Sequence, residues 1–154
     1  MMDKVKKQEY IEKMSSQFDK SEAVIVTHYQ GLTMQQLDDL RSRMREHGIQ
    51  FKITKNRITK LALQKTRCKD LSDLFSGPTA VALSEDAITS AKILTKFSKE
   101  NSNLKILGGI MGSDILDVAG VQNVATLPTL DEARAKIVGI LRSPAQKIAS
   151  ILLA

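Results

Sequence analysis

The sequence predicts an α/β sandwich of about four strands, with helices on one face, plus an N-terminal helix and a C-terminal helical extension. Three observations lead there. Residues 23–27 (AVIVT) and 79–83 (TAVAL) are short, uncharged and rich in apolar residues, as buried strands are, while residues 49–53 (IQFKI) alternate with period two. Stretches of helical period, several opened by capping signals, separate these runs. The 154 residues, 42% hydrophobic and 26% charged, suit one domain with an appendage.

The elements follow in order. Tyr10, Ile11, Met14 and Phe18 recur at helical spacing, with Lys4, Lys6, Lys7 and Lys13 at the polar positions. After the strand at 23–27, Gly31 breaks the pattern, and Thr33-Met-Gln-Gln36 has the form of a capping box. The helix it opens turns Leu37, Leu40 and Met44 inward, sets Arg41 and Arg45 on another face, and stops at Gly48. In the next strand Ile49, Phe51 and Ile53 point to the core, and Gln50 and Lys52 point away. A second basic helix follows, with Ile58, Leu61, Ala62 and Lys65 as one stripe and Arg57, Lys60, Gln64 and Arg67 as the next. Leu71, Leu74 and Phe75 suggest a helical turn, and Gly77-Pro78 a loop before the third strand. Ala87, Ala91, Leu94 and Phe97 mark a helix opened near Ser84 or Glu85, and residues 104–110 a fourth strand. Thr129-Leu-Asp-Glu132 and Ser143-Pro-Ala-Gln146 are two more capping boxes, predicting two C-terminal helices, the last about ten residues long. A helix that short is marginal alone, so its Ile and Leu side chains must dock on something. Residues 1–126 are expected to form the α/β domain and 127–154 the helical segment.

Charge is the strongest functional signal. The chain carries 23 basic and 17 acidic side chains, and residues 41–69 alone hold ten cations (Arg41, Arg43, Arg45, Lys52, Lys55, Arg57, Lys60, Lys65, Arg67, Lys69) against one acid, Glu46. A folded domain that concentrates charge in this way is suited to a polyanion, most commonly nucleic acid. A solvated basic face is the bland alternative. A membrane-surface helix would need Trp or Phe along its apolar side, and the chain has no Trp and four Phe. Aromatics at 4% argue for binding through phosphates and shape rather than base stacking.

Other chemistry is excluded by what is missing. The one cysteine, Cys68, can form no intramolecular disulfide and fits a reducing compartment. There is no HExxH and no P-loop; Gly108, Gly109 and Gly112 only loosely resemble a phosphate loop, which leaves a small phosphate-binding enzyme as a remote alternative. His28 and His47 lie in different elements, so no metal site, cofactor or catalytic centre is expected. No run approaches a membrane span and no signal-peptide core is present, so a cytoplasmic setting is expected.

A series of short motifs then becomes recognisable: Tyr29-Gln-Gly-Leu-Thr33, Leu40-Arg41 through Gly48, Lys55-Asn56-Arg57, Phe75-Ser-Gly-Pro-Thr-Ala80, Leu127-Pro-Thr129 and Ser143-Pro-Ala-Gln-Lys147. In this order and at these spacings the set resembles the bacterial family of large-subunit ribosomal protein ten, from about residue 3 to the end. The resemblance implies a ferredoxin-like α+β sandwich and a non-enzymatic role in translation. It implies binding to large-subunit rRNA at the GTPase-associated region, beside ribosomal protein eleven. It also implies a C-terminal helix that carries dimers of the acidic stalk protein (seven/twelve), which recruit translational GTPases. The alternative is a ribosome-assembly factor using the same domain. Matching positions assign RNA contact to Gly31, Thr33, Lys55, Asn56 and Arg57. Charge and facing add Arg41, Arg45, Lys52 and Lys60. Ala145, Ile148, Ala149, Ile151 and Leu152 are the residues expected to meet the stalk protein. Two departures stand out: Gln30 occupies a position where the family usually has Arg, and relatives usually continue the last helix beyond residue 154.

Overall fold

In the computed structural model, which describes residues 4–64, 66 and 68–153, β1 (Ala23–His28) is the middle strand of a five-stranded sheet. Its neighbours are β3 (Thr79–Ser84) and β4 (Lys105–Met111); β2 (Gln50–Ile53) and β5 (Asp114–Asp117) form the edges, in the order β2-β3-β1-β4-β5. All adjacent pairs are antiparallel. Helix α2 (Met34–Glu46) joins β1 to β2 around β3, and α4 (Ala87–Glu100) joins β3 to β4 around β1. These are the two split β-α-β units of a ferredoxin-like α+β fold.

The other helices explain how the sheet is covered. Ile25 and Ala82 sit opposite each other in the register and pack with Leu40 and Met44 of α2, Leu94 and Phe97 of α4, and Val121 and Val124 of α5 (Val118–Thr126). Their neighbours Val24, Val26, Val81 and Leu83 turn to the other side. There they meet Met14 and Phe18 of α1 (Lys4–Lys20), Ala62 and Leu63 of α3 (Asn56–Leu63), and Leu71 and Phe75 at the short 3-10 helix Lys69–Leu74. Helices therefore cover both faces, not the single face expected. The physical reason is already present in the strands: β1 and β3 are apolar or small at successive positions and buried along almost their whole length, which demands cover above and below.

Several local expectations are corrected. The buried stripe of α3 is Thr59, Ala62 and Leu63, one step round from the predicted one, and Leu61 is exposed. The helix ends at Leu63; Lys65 and Arg67 lie outside the described residues, as do the side chains of Lys4, Lys6 and Lys7. Ile53 is exposed at the edge strand rather than in the core. The cap of α4 is Asp86, whose carboxylate accepts from the Ile88 and Thr89 amides. Strand β5 and α5 are additions: Gly112, at φ +63°, and Ser113 close a two-residue hairpin between β4 and β5.

Leu130 to Leu153 form a single 24-residue helix, α6, about 36 Å long. Ser143-Pro144 does not start a new helix; Pro144 lies inside this one. No residue of α6 is buried, and Ile137, Ile140, Leu141, Ile148, Ile151 and Leu152 are all exposed. At its root Glu132 completes a capping box with Thr129 and receives a 2.7 Å hydrogen bond from Lys92 of α4. The Lys92 ammonium, then the Thr129 amide, hold the Glu132 carboxyl below its usual range.

Candidate nucleic-acid interface

At one end of the sheet β1 and β2 finish and β3 and β4 begin, so four loops meet there. His28 pairs with both Thr79 and Lys105, and Ile53 with Ala80. Two of the loops lead directly into helix N-termini, those of α2 and α3, and neither helix has an acid in its first turn. Unmatched backbone amides at such ends favour anions.

The first loop is a tight turn. The Leu32 amide donates to the Tyr29 carbonyl at 3.2 Å, and Gly31, at φ +90°, occupies the position that requires a left-handed backbone. A Cβ on Gly31 would stand 3.2 Å from Asn103 Cγ, and the Asn103 amide donates to the Gly31 carbonyl at 2.8 Å. Thr33 caps α2: its hydroxyl accepts from the Gln36 amide at 3.3 Å, and its own amide donates to Gln36 Oε1 at 3.0 Å. Gln36 in turn donates to Asn101 Oδ1 at 2.7 Å. Thr33 therefore shapes the loop through the predicted capping box.

The second loop carries Lys55-Asn56-Arg57. Asn56 Nδ2 donates to the Gly77 carbonyl at 2.7 Å, and its Oδ1 accepts from the Thr79 hydroxyl. Asn56 thus clamps the start of α3 to the loop before β3. Lys55 and Arg57 flank it, exposed and outside every ion pair found among the described residues. Lys60 lies one turn along the same helix, half-buried. Two cations beside a helix N-terminus with no compensating acid concentrate positive potential at one point.

The structure thus gathers Gly31, Thr33, Lys55, Asn56, Arg57 and Lys60 around one end of the sheet. It does not gather Arg41, Arg45 or Lys52. Helix α2 packs on the opposite face from α3, and Arg45 is about 16 Å along it from Met34, near the far end of the sheet. Arg41 pairs with Asp38 at 3.1 Å. Lys52 donates to Gln17 of α1 at 2.8 Å. Arg43 bridges Asp39 at 2.9 Å and Glu100 at 3.0 Å, and the Asp39 carboxylate, followed by that of Glu100, raises its pKa further.

Sequence reasoning missed the β4 side of this end. His28, Gln30, Ser102, Asn103 and Lys105 line a hollow of about 250 Å³ next to Gly31. Lys105 is an isolated cation in the sequence, so no charge run signals it; only the register opposite His28 brings it into place. The phosphate-loop reading of Gly108 to Gly112 is overturned. Gly108 and Gly109 are buried inside β4, and a Cβ on Gly109 would come within 2.6 Å of the Val24 carbonyl. Among the described residues no cluster of His, Cys, Asp and Glu could hold a metal, and no helix is long and apolar enough to cross a membrane.

Comparison with known proteins shows which family the sequence resembles. The model of the family described as ribosomal protein L10 matches residues 2–99. The large ribosomal subunit protein uL10 of Pelagibacter ubique (strain HTCC1062) is 68% identical over 153 residues, covering 99% of this chain and 92% of that one. The proteins of the same name from Parvibaculum lavamentivorans and Paramagnetospirillum magneticum are 48% and 49% identical, over 95% and 96% of this chain and 85% and 86% of theirs.

Proposed function

The chain belongs to the ribosomal protein L10 family and is a structural, non-enzymatic protein of the large ribosomal subunit; on that premise we propose that it joins rRNA to the acidic stalk protein. The RNA contact is the sheet end built by Gly31, Thr33, Lys55, Asn56, Arg57 and Lys60, at the GTPase-associated region of the large-subunit rRNA and beside ribosomal protein eleven. Residues 1–126 form this RNA-binding unit, and residues 127–154 display α6 to stalk-protein dimers through Ala145, Ile148, Ala149, Ile151 and Leu152. The setting is the cytoplasmic ribosome.

One observation carries the reading: α6 exposes a row of Ile and Leu side chains along 24 residues and buries none, while its root is tied to α4. Each such side chain gains about 1.5 to 3 kcal/mol when covered. A helix of this kind suits a partner that supplies the missing apolar face. On the RNA side, Lys55 and Arg57 sit at a helix end without acids, and few aromatics are needed when folded RNA is read by phosphates and 2′-hydroxyls.

The test is Lys55→Glu in the whole chain. The side chain is exposed and caps nothing, so the circular dichroism spectrum and Tm should stay as they are. Affinity for a large-subunit rRNA fragment should fall by roughly ten-fold, about 1.4 kcal/mol. Unchanged affinity would remove this end of the sheet as the contact.

A further inference from the structure

A groove of about 470 Å³ opens between α4 and α5, lined by Lys92, Thr95, Lys96 and Lys99 from the first and by Gln122 and Asn123, among others, from the second. We propose that it holds a second stretch of RNA sugar-phosphate backbone, distinct from the contact around Lys55; this rests on the reading that the chain binds rRNA.

The three lysines recur at i, i+4 and i+7, so they stand on one side of α4 over about two turns. Lys92 is engaged by Glu132 at 2.7 Å. Lys96 and Lys99 are exposed and take part in no ion pair among the described residues. The carboxylates recorded next to this helix face are already paired: Glu100 with Arg43 and Glu132 with Lys92. Two ammonium groups therefore face the groove with no neutralising acid. The wall between the three lysines and α5 is formed in part by Thr95. Beside it, Gln122 and Asn123 offer amides of both polarities.

Unpaired cations and side-chain amides suit phosphate oxygens and ribose 2′-hydroxyls. None of the residues named on the groove is aromatic, so base stacking contributes nothing there. The groove also runs towards the interface already described. Helix α4 ends at Glu100, and the next residue, Asn101, accepts from Gln36 of the α2 cap. A strand held around Lys55 and another along α4 would be gripped from two sides of one sheet end.

The experiment compares the full-length chain with Lys96→Gln/Lys99→Gln and with a control pair of equal charge loss, Lys20→Gln/Lys147→Gln, all binding a large-subunit rRNA fragment over a salt series. The groove pair should weaken binding and make the slope of log affinity against log salt shallower by about 1.4 to 1.8 relative to the control, the contribution of two phosphate contacts. A groove pair that matches the control overturns the proposal. In that case loss of binding in Lys55→Glu would still leave the rRNA reading standing, and retention in both would sink both. A groove pair that keeps RNA affinity but loses binding of poly-glutamate would assign the groove to an acidic polypeptide and also overturn it.

Discussion

The side-chain amide of Asn103 donates to the carbonyl of Gly31 at 2.8 Å, joining two loops 72 positions apart in the chain. This bond fixes the turn ahead of α2 against the start of β4, so the loops at the proposed RNA contact hold one another in place.

Asn103→Ala should therefore act on both stability and binding. A net hydrogen bond is worth about 1 kcal/mol, which lowers Tm by about 3 °C in a chain of this size. The Gly31 turn loses its anchor, and rRNA affinity should fall although no charge has changed. Calorimetry and filter binding on the same variant check the two effects; a Tm loss with unchanged affinity would show that the turn is outside the contact.

The Asp86 cap makes a prediction in acid. Burial alone would raise this carboxyl, but the Thr89 hydroxyl, the Thr89 and Ile88 amides and the Lys92 charge outweigh it and hold its pKa below the ordinary 3.8. Because the folded value lies below the unfolded one, the unfolded chain takes up the proton first as pH falls. The stabilisation is present in full above the unfolded value and disappears as pH drops through the folded one. Asp86→Asn keeps a good capping residue without the ionisable group. Its Tm should fall less steeply than that of the native chain in a titration below about pH 4. Parallel curves would assign acid sensitivity to other carboxylates.

Leu152→Asp tests the helix. Leu152 is 81% exposed, so the change should move stability by no more than about 0.5 kcal/mol and leave rRNA affinity intact. Co-purification of stalk-protein dimers should be lost. A large drop in Tm would mean that α6 packs on its own domain in solution.

Much of this fold was legible in the sequence. Leu37, Leu40 and Met44 are buried as the helical spacing requires, and the Thr33 capping box forms with both of its bonds. The misses have physical causes. Strand β5 is only four residues long and begins and ends with Asp, so neither apolar content nor length marks it. In α3 the side chain turned inward beside Ala62 is Thr59, a polar residue that backbone capping satisfies through the Lys55 carbonyl, and a stripe drawn through apolar residues alone runs past it. Ser143-Pro144 carries every local mark of a helix start, yet the chain is already helical when it arrives, and the missing amide costs only part of one turn. For the site, the motif positions lie together at one end of the sheet, but Arg41 and Arg45 were added from charge and facing within their own helix. The sheet separates α2 and α3, and no local pattern records which side each helix covers.

Pro144 has a mechanical consequence. With no amide there, the Ile140 carbonyl lacks its usual partner, and a proline ring at this point in a helix favours bending. The soft spot lies about 21 Å from Leu130, leaving an outer arm of roughly 14 Å beyond it. Flexure concentrated at one vertebra, above a root paired through Lys92 and Glu132, lets the outer arm swing through an arc relative to the inner one. The sweep of that outer arm is then set by the position of a single imino acid.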